Sequence, residues 1–147
     1  MTVLVDTSVL VRRTEVTSPL HADAVTAMRQ LRASGETLCI IPQNIIEWWA
    51  VATRPVSSNG LGLTIGEAEA ERLRIETLFM LLNDPPGLYT RWVSLVNSFS
   101  VHGKPTHDAR IAAAAIEHGI TKILTFNVDD FQRFSSAGIT AISPRTL

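Results

Sequence analysis

Short β-branched or aliphatic runs, separated by longer stretches with helical spacing, constrain this chain more than any other feature. Val3–Val5, Thr37–Ile41 and Lys122–Thr125 each read as a buried strand, and Ile139–Ile142 is a candidate fourth. Between them Ser18 is placed to cap a helix, Pro19 suits its first turn and Gly35 its stop. A helix is therefore expected from Pro19 to about Ser34, with Val25, Met28, Leu31 and Arg32 along its inward stripe. Pro42 opens another helix carrying Ile45, Ile46, Glu47, Trp48 and Trp49. Arg54–Leu63 is a loop by composition, and the Thr64/Glu67 spacing of a capping box predicts a helix running on to about Leu82. Asp84-Pro85-Pro86-Gly87 interrupts the pattern, and a further helix is expected from about Leu88 to Phe99. An alanine-rich helix starts at Thr106 or His107, runs through His118 and ends at Gly119. Strands alternating with helices mean an α/β fold, with a mainly parallel sheet covered on both faces. The Ile111–Ile116 segment, alanine between isoleucines, allows its helix to approach the sheet closely.

Bulk properties limit the functional classes. The 147 residues fit one domain, 1–147, and 46% hydrophobic content is enough for a core. Net charge is −1, from 13 basic and 14 acidic side chains, so any nucleic-acid binding must come from a local patch. The lone Cys39, inside an apolar run, reads as a small buried hydrophobe and points to a reducing compartment. There is no signal-peptide pattern, and the longest apolar runs fall far short of the ~20 residues that span a bilayer. A cytoplasmic protein without a membrane partner is expected.

Ligands of open parallel sheets bind beyond the carboxyl ends of the strands. Asp6 ends the first strand, and Thr125-Phe126-Asn127 ends the third. Glu47 lies one turn into the helix after the second strand, and Asp108 in the first turn of its own helix. All four positions fall near one edge although they span most of the chain. Grouped carboxylates raise one another's pKa unless a cation compensates. Oxygen donors suit the hard ions Mg²⁺ and Mn²⁺, and such a site can activate a water for attack on a phosphodiester. No Cys/His cluster has zinc spacing. Each acid also has a plain structural explanation: Asp6 as a turn residue, Glu47 on an exposed helix face, Asp108 as a favourable charge against a helix dipole. Placement at corresponding strand edges is what singles them out.

Asp6-Thr7-Ser8-Val9-Leu10 after a hydrophobic strand, Glu47 in an apolar helix, His107-Asp108-Ala109-Arg110 opening an alanine-rich helix, and Leu124-Thr125-Phe126-Asn127 followed by Asp130-Phe131 together resemble the PIN domain. Within that family the pattern is similar to the VapC-type toxins of prokaryotic toxin–antitoxin pairs. The resemblance spans essentially the whole chain. It implies a PIN-like three-layer α/β/α sandwich and Mg²⁺- or Mn²⁺-dependent endoribonuclease activity. It places the family's acidic positions on Asp6, Glu47 and Asp108, and the fourth, usually Asp, on Asn127. That departure removes a negative charge and should weaken a second metal; Asp130 is then a candidate outer group. Ser8 and Thr125 look like the polar residues that orient the carboxylates. The resemblance also implies a small antitoxin partner and a homodimer.

Arg12, Arg13 and Arg110 are candidate contacts to RNA phosphates, Arg110 foremost because it lies two residues from Asp108. His107 suits a capping or supporting role better than that of a general base. His21, His102 and His118 read as structural or exposed; Trp48, Trp49 and Trp92 could stack bases, but core or dimer-interface packing suits them better. Asn127 motivates one alternative, a PIN-like RNA-binding module with weak or lost catalysis. A haloacid-dehalogenase-like phosphatase would need an acid where Ser8 stands, and a receiver-type phosphoacceptor would need adjacent acids and a later Lys.

Overall fold

Alternate residues of each strand run face opposite sides of one sheet, and this sorts the interior into two cores. Val3, Val5, Leu38, Ile40 and Leu124 join one cluster, whereas Leu4, Cys39 and Ile123 join the other. A computed structural model describes all residues, Met1–Leu147. Its strands are β1 (Thr2–Val5), β2 (Thr37–Ile40), β3 (Met80–Leu81), β4 (Lys122–Leu124) and β5 (Thr140–Ile142). They form a single sheet in the order β3-β2-β1-β4-β5, parallel at every pairing.

Seven helices cover the sheet: α1 (Thr7–Thr14), α2 (His21–Ala33), α3 (Pro42–Thr53), α4 (Ile65–Leu78), α5 (Leu88–Ser98), α6 (Pro105–Glu117) and α7 (Val128–Gln132). Helices α1 to α4 pack Val9, Leu10, Met28, Leu31, Trp48 and Ile75 on one face. Helices α5 to α7 pack Leu88, Leu95, Ala109, Ile111–Ala115 and Phe131 on the other. This is the expected three-layer α/β/α sandwich. Five consecutive residues of α6, Ile111–Ala115, are buried, so the helix is enclosed on nearly every side, and four of the five are alanine. No helix is long and apolar enough to cross a membrane.

Several boundaries differ from the sequence expectation. The helix from the Thr64/Glu67 box, whose reciprocal bonds form as expected, stops at Leu78 rather than Leu82. Met80 and Leu81 instead pair with Cys39 and Ile40 as a short edge strand, because the sheet edge offers hydrogen bonds that outweigh local helical preference. Helix α2 begins at His21, past Pro19; Ser18 accepts the Leu20 N–H at 3.2 Å and shapes the approach to the helix. Its buried stripe is Ala24, Ala27, Met28 and Leu31; Val25 is only half-buried and Arg32 is exposed. Arg32 instead lies over the Phe79 ring and donates to the Leu78 carbonyl. Helix α1 was not expected. Thr7, Val9 and Val11 have modest helix propensity, and burial of Val9 and Leu10 under α3 holds it.

Strand β1 is the switch point of this topology. From β1 the chain moves first to β2 and β3 on one side, and later to β4 and β5 on the other. Loops leaving β1 and β4 therefore diverge and leave a crevice at the carboxyl edge.

Candidate active site at the carboxyl edge of the sheet

Asp6 follows β1 directly and is 3% exposed, almost completely buried for a carboxylate. Its Oδ2 accepts two hydroxyl hydrogen bonds, from Ser8 Oγ at 2.8 Å and from Thr125 Oγ1 at 2.8 Å. Thr125, just past β4, also accepts the backbone N–H of Asn127 at 2.9 Å, and Ser8 accepts that of Phe126 at 3.2 Å. The ends of β1 and β4 are thus tied together through one carboxylate. Burial pushes the Asp6 carboxyl above its ordinary range, the hydroxyls of Ser8 and Thr125 pull against this, and the Glu47 charge adds to the rise.

Glu47 is half-buried rather than on an open helix face. Its Oε1 accepts Thr7 Oγ1 at 2.7 Å, and its Oε2 accepts Gln43 Nε2 at 3.1 Å. Thr7 in turn accepts Asn44 Nδ2 at 3.2 Å, and Asn44 Oδ1 accepts the Ile41 N–H at 2.9 Å, capping α3. Gln43 also donates to the His107 carbonyl at 2.8 Å and accepts Arg110 Nη1 at 2.8 Å, so it joins α3 to α6. Sequence reasoning missed Thr7, Gln43 and Asn44. Gln43 was legible only as the residue one turn before Glu47, on the same helix face.

Asp108, in the first turn of α6, completes the group. Burial, followed by the charges of Asp6, Asp130 and Glu47, pushes its carboxyl up to about 7, while Lys104 opposes the rise. Asp6, Glu47, Asp108 and Asn127 all line one open cleft of about 630 Å³, together with Ser8, His107 and the cations Arg12, Lys104 and Arg145. Asn127 is exposed at the rim. Asp130 is exposed and lies beside a smaller hollow with Asn127, so it reaches the cleft through its charge on Asp108.

The three arginines separate. Arg12 lines the cleft and pairs with Glu15 at 3.6 Å. Arg13 turns away, 3.6 Å from Glu71, and lines a different groove. Arg110 lies in a neighbouring pocket, 2.9 Å from Asp84. His21 meets the Arg12 carbonyl and His118 the Asn83 carbonyl, so neither belongs to the cleft.

The donor set suits Mg²⁺ or Mn²⁺. Its acids are oxygen donors, and burial together with the charges of Asp6, Asp130 and Glu47 raises Asp108 despite the opposing Lys104. No three His, Cys, Asp or Glu side chains converge into a preformed metal cluster. An ion that keeps much of its water and takes one or two carboxylates directly does not need one.

A five-stranded parallel sheet between two helical layers, with a buried acid at its switch point and two more acids facing it, defines the class: an α/β/α fold with an acidic cleft. The chain belongs to the PIN domain family, whose model matches residues 3–136. Solved structures with the same fold include VapBC-1 from nontypeable Haemophilus influenzae (14% identity, TM-score 0.72, covering 99% of both chains). Another is Mycobacterium tuberculosis VapC20, described as a sarcin–ricin loop cleaving toxin (22% identity, TM-score 0.66, covering 94% of this chain and 96% of that one). A third is a toxin–antitoxin complex from Klebsiella pneumoniae (22% identity, TM-score 0.64, covering 97% of each chain). No curated protein matches the sequence.

Proposed function

We propose that this protein is an Mg²⁺- or Mn²⁺-dependent endoribonuclease, the toxin of a VapBC-type pair, held in check by a small antitoxin. One observation carries the reading: Asp6, Glu47 and Asp108, distant in sequence, line a single cleft at the sheet's switch point. Similarity to a toxin described as cleaving the sarcin–ricin loop, and to a toxin–antitoxin complex, supports the choice of RNA and of an antitoxin. Asp6, Asp108 and Glu47 would hold the ion, which when bound stabilises negative charge developing on the phosphodiester.

The chain's own groups have separable tasks. Ser8 and Thr125 fix Asp6, while Thr7 and Gln43 fix Glu47, so the carboxylates are oriented before substrate arrives. Arg12, Lys104 and Arg145 at the cleft rim offer cations to phosphates flanking the cut. Asn127 supplies an amide at the fourth position, so the reading needs one ion only. Two-fold pairing of the chain belongs to the same proposal; exposed Leu78, Met80 and Leu81 at the β3 edge provide apolar surface for it.

The test is cleavage of single-stranded and structured RNA by the purified protein. Activity is expected with Mn²⁺ or Mg²⁺, and chelation, Asp6→Ala or Asp108→Ala should each abolish it. Full activity in either variant would overturn the assignment. RNA binding without cleavage would favour the module with lost catalysis, for which Asn127 is the motive.

A further inference from the structure

Beside the acidic cleft lies a second pocket of about 560 Å³, walled by Asp84, Pro85, Tyr89, Trp92, His107 and Arg110. That volume is within the roughly 300–1,000 Å³ of small-molecule sites. Tyr89 and Trp92, three residues apart on α5, stack with ring centroids 6.1 Å apart and planes 27° from parallel. The inner ring is fixed, because Trp92 Nε1 donates to the Thr106 carbonyl at 2.9 Å. The outer ring is open to solvent, with Tyr89 74% exposed. A polar wall completes the pocket: Arg110 is held by Asp84 Oδ2 at 2.9 Å and by Gln43 Oε1 at 2.8 Å.

The pocket adjoins the cleft. His107 lines both, and the next residue along α6 is Asp108. A strand whose backbone crosses the carboxylates can therefore place a neighbouring unit against the aromatic pair. Gln43 bonds to both Arg110 and Glu47, so a group engaging Arg110 is one side chain removed from the acidic site.

We propose that this pocket is a nucleobase subsite: an unpaired base of the RNA stacks on the Tyr89–Trp92 pair with its edge towards Arg110 and Asp84. This rests on the ribonuclease reading above. The chemistry selects a base over simpler occupants. A phosphate would have no use for the aromatic wall, and an aliphatic side chain would have none for the ion pair. A base has a π face to stack and an edge with both donors and acceptors, which a carboxylate and a guanidinium side by side can meet. Bases are splayed out in this way from single-stranded segments and loops of RNA.

The experiment uses the full chain with a fluorescent single-stranded RNA. Binding is measured in an Asp6→Asn background, and KM and kcat in the active protein with Mn²⁺. Tyr89→Ala is expected to weaken binding and raise KM by roughly 5- to 100-fold, as loss of one stacked base does, with kcat little changed. Tyr89→Phe should keep wild-type values. An abasic nucleotide moved along the RNA should cost wild type the same factor at one position, and cost Tyr89→Ala nothing further there. Unchanged affinity and KM in Tyr89→Ala overturn the subsite. So does a Tyr89→Ala variant that loses only self-association in sedimentation, which would make this face a contact between copies. Tyr89-dependent binding without cleavage by wild type would sink the ribonuclease reading and leave the subsite standing. Cleavage indifferent to Tyr89 would do the reverse, and a protein that neither binds nor cuts RNA would refute both.

Discussion

Asp108 is the residue whose chemistry depends most on its neighbours. An isolated aspartate ionises near pH 4, but burial and three facing acids hold this one up to about 7. The folded, metal-free protein therefore binds this proton more tightly than the unfolded chain does. The resulting stability is fully present below about pH 4 and is lost as pH rises through about 7. In chelator, the melting temperature should fall between pH 5 and pH 8, and Asp108→Asn should flatten that part of the profile. Mg²⁺ or Mn²⁺ added at pH 8 should raise the melting temperature of wild type and not of the variant. A wild-type profile that rises over this range and is unchanged by Asp108→Asn would show that burial and the facing acids do not hold this carboxyl up. Asp6 is raised in the same direction, but two hydroxyls share the cost of its burial.

Helix α6 links the cleft to the core. Its first turn presents Asp108, and its middle, Ala112–Ala115, is pressed between the sheet and the outer helices. Alanine at these positions lets α6 pack closely against α5 while its inner face joins the core of that side of the sheet. Ala113→Leu should cost about 1–3 kcal/mol by overpacking. The same change at exposed Ala22 of α2 should stay within about 0.5 kcal/mol. Urea unfolding of the two variants makes the comparison, and equal midpoints would disprove tight packing of α6. The alanine run was evident in the sequence, and so was the helix it forms. The short edge strand β3 was not, because Met80-Leu81 continues the apolar pattern of α4. Only the free edge of β2 turns those residues into a strand.

At the scale of the whole molecule, a net charge of −1 leaves little long-range attraction for RNA. The cations that line the cleft are Arg12, Lys104 and Arg145, whereas Arg13 is committed to Glu71. With each single-strand phosphate contact contributing about −0.7, three contacts predict a slope of log affinity against log salt no steeper than about −2. Binding of the Asp6→Asn variant across a range of KCl concentrations measures it. A slope several times steeper would show that RNA reaches cations outside the cleft, such as Arg29 and Arg32 in the groove beside Arg13. Arg13 and Arg110 illustrate the limit of reading charge from sequence. Both are near acidic positions in the chain, yet α1 carries one away from the cleft and Asp84 draws the other into the adjoining pocket.

By itself the sequence determined the alternation of strands and helices, the placement of Asp6, Asp108 and Asn127 at strand and helix ends, and that of Glu47 one turn into its helix. Those features follow from local rules: period-2 and period-3.6 burial, proline and glycine punctuation, and the preference of polar residues for strand ends. The topology rule already brought the carboxylates to one edge; tertiary structure alone decided the cleft they line and that Thr7, Gln43 and Asn44 brace Glu47. It also decided which arginines face that cleft and that Tyr89 and Trp92 wall a pocket beside it. These are relations between helices on a sheet whose strand order is set by global packing. No window of sequence contains the partner that fixes them, and that is why they became legible only in the folded chain.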